Sequence, residues 1–174
     1  FLPVTPGTRY VTVGGAIAND VHSKNHHGAG TFGCHVQRFE LLRSDGCRRI
    51  CSRSENPEWF AATIGGLGLT GLITWAEIEL RRIPGLHIDV ENRRFTGLDE
   101  FFAHNAELEA QHEYTVAWVD CLAEKPRGIF MAGDHAETPG FGGGPAQGDG
   151  GPAVPFKPPI SLINCVSLSA FNFA

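Results

Sequence analysis

The chain has 174 residues, 42% of them hydrophobic, enough for one domain with a real core or for one domain and part of another. Its 19 acids against 14 Lys and Arg leave a net charge of -5, which argues against the clustered basic surface that a nucleic-acid backbone demands. Five cysteines without a CxxC pair signal neither a disulfide framework nor a thiolate zinc site, so a reducing, cytoplasmic compartment is expected, and no apolar run reaches the roughly eighteen residues of a membrane span.

Phe1-Leu2-Pro3-Val4 lacks the charged region that opens a signal peptide, and Ile160 to Ala174 is still apolar where the sequence stops, strand-like or helix-like. A piece of a longer protein is therefore expected. Arg9 to Val13 is β-branched and aromatic, reads as a short strand, and delivers the chain into Gly14-Gly15. Ala16 to Val21 suits a helical turn or two. The stretch from Thr12 to Gly33 is too rich in glycine and histidine for a packing segment, because glycine loses most backbone entropy on folding and adds no side chain to a core. It reads as a loop whose N–H groups cradle a polar, anionic ligand.

Val36 to Arg43 is predicted as a strand, Ser44-Asp45-Gly46 as a hairpin turn and Cys47 to Ser52 as the returning strand. Asn56-Pro57-Glu58 opens a helix with a capping residue, a proline and an acid, and Gly65 closes it. From Leu72 the residues alternate, with Leu72, Thr74, Ala76, Ile78 and Leu80 on one face of a half-buried strand. The character changes at Pro84-Gly85, which places a boundary there and divides the chain into 1–83 and 84–174. Leu98, Phe101, Phe102, Asn105, Leu108 and Glu109 then trace a helical face, followed by strands at Tyr114 to Asp120 and Gly128 to Ala132. Thr138 to Pro159 holds seven glycines and six prolines and reads as a mobile loop. The fold class expected is α+β, an antiparallel sheet flanked by helices followed by the start of a second α+β domain.

The run TVGGAIANDVHSKNHHGAGTFG, with PGTR before it and ATIGGLGLTGLI after it, resembles the second half of the FAD-binding domain of PCMH-type (vanillyl-alcohol-oxidase-type) flavoproteins. The resemblance covers Phe1 to Leu80 strongly and Tyr114 to Asp120 weakly. It implies that 1–83 is the C-terminal part of an FAD-binding domain and that 84–174 begins a substrate domain. The activity it implies is oxidation of an alcohol or sugar-alcohol position by hydride transfer to the flavin N5, in which the protein positions the ring and tunes its charge. By match to the family, FAD would be held by Gly7, Thr12, Val13, Gly14, Gly15, Asn19, Asp20, Val21, His22 and Ile73. The family's pyrophosphate-binding loop and catalytic base fall outside these residues. A non-catalytic binding or interaction domain that keeps the glycine loop is the alternative.

Several motifs carry two readings. Gly66-Leu67-Gly68-Leu69-Thr70-Gly71 matches GxGxxG, but the dinucleotide fingerprint needs a strand before it and a helix after it, and the reverse is expected here. The resemblance instead puts this run on the adenine and pyrophosphate side of FAD. His22, His26, His27 and His35 suggest a metal only if a continuous helix spaces them, which the glycines and Asn25 disfavour, so no metal is assigned. His22 falls where the family lays a residue against the flavin, although Ser23 stands at a family glycine. Lys24 is either a solvated charge or a contact to an anionic group of substrate or flavin. Trp118 is either core or, by the resemblance, a contact to a small alcohol or sugar substrate.

Overall fold

The computed structural model describes residues 1–137 and 164–173; the loop expected at 138–159 lies outside them. Two compact units divide the chain, 1–83 and 84–174. The architecture is α+β, with one small antiparallel sheet in each unit.

In the first unit, helix α1 (Val13–Ala18) and the single turn α2 (His26–Ala29) precede a short 3₁₀ turn at Phe32–His35. Strands β1 (Val36–Leu42) and β2 (Arg48–Ser52), helix α3 (Pro57–Thr63) and strand β3 (Leu72–Ile78) follow. The sheet order is β2-β1-β3, all antiparallel. The hairpin expected at Ser44-Asp45-Gly46 is present: Gly46 takes φ 79, which suits glycine, and Asp45 Oδ1 accepts from the Cys47 N–H at 2.8 Å. Val4, Ala16, Ile17, Phe32, Val36, Phe39, Leu41, Cys51 and Phe60 form the core, with the Phe39 and Phe60 rings stacked at 5.3 Å. Burying side chains of this size stabilises by about 1.5–3 kcal/mol each.

Three expectations need correction in this unit. Arg9 to Val13 is not a strand; Thr12 instead caps α1, accepting the Gly15 N–H on its hydroxyl at 3.0 Å, because a cap satisfies an orphan helix donor that a lone strand would leave open. Asn56 precedes α3 as expected but makes no side-chain cap bond; it sits at φ 47 and donates to the Ile50 carbonyl. The alternation from Leu72 is broken by a bulge. Glu40 pairs with Trp75 and Leu41 with Ile73, so Thr74 is the extra residue, and the inward positions become Ile73, Ala76 and Ile78 while Leu72 is exposed. The Thr74 hydroxyl donates to Glu40 Oε1 at 2.6 Å and Arg48 Nη1 does the same, which together hold the Glu40 carboxyl below its ordinary range. A second extra residue, Gln37 on β1, lies between the pairs Val36–Ile78 and Arg38–Glu77.

In the second unit, β4 (Ile88–Thr96), helix α4 (Leu98–Glu109), β5 (Tyr114–Asp120) and β6 (Arg127–His135) make a sheet of order β4-β6-β5 packed on α4. Its core is Phe95, Leu108, Phe130 and Ala132, with Phe101 against it. β4 was not expected: Asp89, Glu91, Arg93 and Arg94 mask its alternation. A helix α5 (Cys165–Phe173) closes the described residues.

Candidate functional site

The site expected from the sequence is built on α1 and the segment that follows it. α1 buries Ala16, Ile17 and Ala18 and leaves Val13 exposed and Gly14 and Gly15 half-buried. At Gly14 a side-chain carbon would meet nothing within 4 Å, and the same holds at the exposed Gly7. At Gly15 it would lie 3.0 Å from the Thr12 Oγ1 that caps the helix. Asn19 ends the helix, with both its backbone N–H and its side-chain amide donating to the Gly15 carbonyl, at 3.0 and 2.9 Å.

Asp20 then reverses the chain at φ 44, a left-handed conformation that Asp tolerates better than most residues. Its Oδ1 accepts the Gly33 N–H at 2.8 Å. Val21 accepts from Phe32 N at 2.9 Å, and His22 bridges to Thr31, so the excursion from His22 to Thr31 has a closed neck. Within it the side chain of Asn25 is buried and donates to the Pro3 carbonyl at 2.9 Å, while His35 Nε2 is bonded to the Ala29 carbonyl at 2.9 Å. The outward residues are His22, Lys24, His26 and His27, with the His22 and His26 rings edge to face at 5.7 Å. Continuous helix is absent here, as the glycines and Asn25 led us to expect.

The Gly66–Gly71 run sits after α3 and before β3, the reverse of the dinucleotide fingerprint. Its approach is tied to the end of α1, where Gly65 N donates to the Ile17 carbonyl at 3.0 Å and Leu67 N to the Ala18 carbonyl at 2.8 Å. The half-buried Ile73 lies on β3 opposite Leu41 of β1, and β3 is an edge strand whose outer backbone groups are not used by β1. α1, the His22–Thr31 excursion and the glycine run thus converge on one end of the first unit. Trp118 belongs to the second unit, on β5 opposite Ile129, and is 42% exposed.

The second unit also holds an open basin of about 500 Å³ lined by Asp89, Glu91, His112, Asp134, His135 and Glu137 among others, which nothing in the sequence signalled. His112 Nδ1 donates to Asp134 Oδ2 at 2.8 Å, Glu113 N to Asp134 Oδ1 at 2.8 Å, and Tyr114 OH is bonded to His135 Nε2 at 3.1 Å. Burial pulls the Asp134 carboxyl up, but the Glu113 N–H and the His112 ring outweigh it and hold the group below its ordinary range. Residues about twenty apart in sequence meet here only because β5 and β6 pair, so no local motif announces them.

No model of a known protein family matches the chain. Individual proteins do. Decaprenylphosphoryl-beta-D-ribose oxidase of Mycolicibacterium smegmatis is 43% identical over 129 residues, 73% of this chain and 28% of that protein. An uncharacterized protein in the mprA 5' region of Streptomyces coelicolor is 40% identical over 139 residues, 78% of this chain and 37% of the other. Cytokinin dehydrogenase 8 of Oryza sativa subsp. indica is 39% identical over 75 residues, 43% of this chain and 14% of that protein. The chain therefore spans little more than a third of the length of these relatives at most. Together with the glycine-rich run carried by α1, these likenesses establish that the chain belongs to the FAD-binding PCMH-type family of oxidoreductases.

Proposed function

We propose that the first unit supplies one wall of an FAD site in an oxidoreductase that oxidises an alcohol or sugar-alcohol position. The observation that carries this reading is Gly14. Gly14 is the second residue of α1, where alanine is better than glycine by up to about 1 kcal/mol, and the space there admits a methyl group, so nothing among the described residues calls for glycine. A flat ligand lying against that backbone does. Gly7 has the same open surroundings.

The residues around this point fit such a group. Thr12 engages the Gly15 N–H and fixes the first turn, Val13 offers an exposed apolar surface, and Asn19 fixes the last turn. Asp20 and Val21 turn the chain so that His22 is exposed, where its imidazole can hold a ring edge, and the edge strand at Ile73 offers backbone groups to the cofactor. Lys24, exposed on the same excursion, would take an anionic group of substrate or cofactor, and Trp118 would contact substrate. When bound, the flavin supplies the acceptor for the carbinol hydride. The ribose oxidase named among the relatives is consistent with a sugar-type substrate.

The test is a visible absorption spectrum of the purified full-length protein, followed by anaerobic addition of candidate alcohols and sugars. Flavin bands that bleach on addition are expected. A colourless protein, or one whose bands no alcohol bleaches, overturns the reading and favours a binding domain that keeps the glycine segment.

A further inference from the structure

We infer that Asp20 is a positioning residue: its carboxylate latches the neck of the His22–Thr31 excursion, presenting His22 and Lys24 in one fixed arrangement without itself touching the ligand. This deepens the FAD-site reading and rests on it. Three observations carry the inference. Asp20 Oδ1 is committed to the Gly33 N–H at 2.8 Å, a partly buried bond spanning the base of the excursion. Gly33 is closed to any side chain, since a carbon there would crowd Ile64 Cγ2 and lie 2.8 Å from Asp20 Oδ1; Ile64, the residue that ends α3, thus packs over the donor beside its acceptor. Finally, the next rungs of the neck, Phe32 N to the Val21 carbonyl and the bridge between His22 and Thr31, stack directly on this bond.

An excursion of this length otherwise samples many conformations, and a ligand would have to order it on binding. The latch removes part of that cost. It also explains the left-handed backbone: at φ 44 the Asp20 side chain meets Gly33, and only Gly, Asn and Asp visit that region readily.

The test uses the full-length protein with Asp20→Gly, which keeps the backbone relaxed and removes the acceptor, and Asp20→Asn, which keeps an acceptor oxygen and removes the charge. Amide hydrogen exchange across 20–33 is read without flavin, and FAD affinity and the visible circular dichroism of bound flavin are read with it. In Asp20→Gly the Gly33 amide and its neighbours should exchange at least tenfold faster, FAD should bind at least tenfold more weakly, and exchange in β1 should stay at the wild-type rate. Asp20→Asn should recover most of both losses. Two results overturn the latch: unchanged exchange across 22–33 in Asp20→Gly, or Asp20→Asn with protected amides but FAD binding as poor as in Asp20→Gly, which would mean that the charge itself meets the ligand. Should Asp20→Gly fail to fold, Asp20→Ala, which also removes the acceptor, takes its place with the same exchange and affinity readouts and the same overturning results. A wild-type protein that takes up no FAD defeats the proposed function, while the exchange measurements still decide the latch.

Discussion

Gly14 and Gly15 are neighbours in one short helix, yet a methyl group would meet different surroundings at each. At Gly14 the space is open, so Gly14→Ala should raise the unfolding free energy of the first unit by up to about 1 kcal/mol. If a flavin lies there, the same change should weaken FAD retention, so stability and binding move in opposite directions. Thermal melts and flavin stoichiometry on one preparation read both, and retention at the wild-type level would remove Gly14 from the site. At Gly15 the methyl would crowd the Thr12 hydroxyl that caps the helix, so the propensity gain is offset by a weakened cap worth about 1 kcal/mol. Gly15→Ala should therefore leave the melting temperature near its starting value. A rise equal to that of Gly14→Ala would show that the cap does not constrain this position.

At the scale of elements, the central strand of the second sheet depends on close approach. A side-chain carbon at Gly128 would lie 1.9 Å from the Trp118 carbonyl and 2.7 Å from the Phe95 ring. Gly128→Ala should force β5 and β6 apart and cost on the order of 1–3 kcal/mol, read as a lower urea midpoint, whereas Ile129→Ala on the exposed side should cost much less. The tie from the turn between α4 and β5 to β6, through His112 and Asp134, has a pH signature. A carboxyl whose folded value is depressed adds stability that is fully present above its unfolded value near 3.9 and is lost as pH falls through the folded one. The stability gap between the wild type and Asp134→Asn should therefore be constant from about pH 6 to pH 5 and shrink below about pH 4. A gap that does not change with pH would show that the bond contributes nothing through charge.

Over the whole molecule, what the sequence reveals follows from how local the cause is. The hairpin, α3, α4 and β5 could be read because turn residues, caps and apolar spacing lie within a few positions of one another. β4 cannot, since its pairing with β6 overrides a charged composition, and of α1 the turn from Ala16 is legible but the start is not, because Val11 to Val13 favour a strand until Thr12 finds a helix donor. The candidate site shows the same division: its glycines are visible in the sequence, but the bonds from Asp20 to Gly33 and from Asn25 to Pro3 join residues 13 and 22 apart and appear only once the chain is folded. The relatives are also longer by far, and the chain spans 28% of the ribose oxidase. We expect the 174-residue chain to bind FAD at least tenfold more weakly than the full-length polypeptide, as equilibrium dialysis of both would read; equal affinities would place all the binding groups within these residues.

The two extra residues of the first sheet have a consequence for how this sequence tolerates gaps. Thr74 on β3 and Gln37 on β1 stand unmatched in the ladder, and the pairs before the first and after the second share one register while the pairs between are offset by a single position. Each is thus an insertion frozen into the strand, and the second restores the frame that the first shifts. Removing Gln37 or Arg38 from β1, or Thr74 or Trp75 from β3, leaves Val36, Phe39, Leu41, Ile73, Ala76 and Ile78 in phase on the core side, whereas removing Glu40 or Glu77 turns part of that set to solvent. In a single-codon deletion scan of 36–42 and 72–78, folded protein should survive deletion at 37, 38, 74 or 75 and be lost on deletion at 40 or 77.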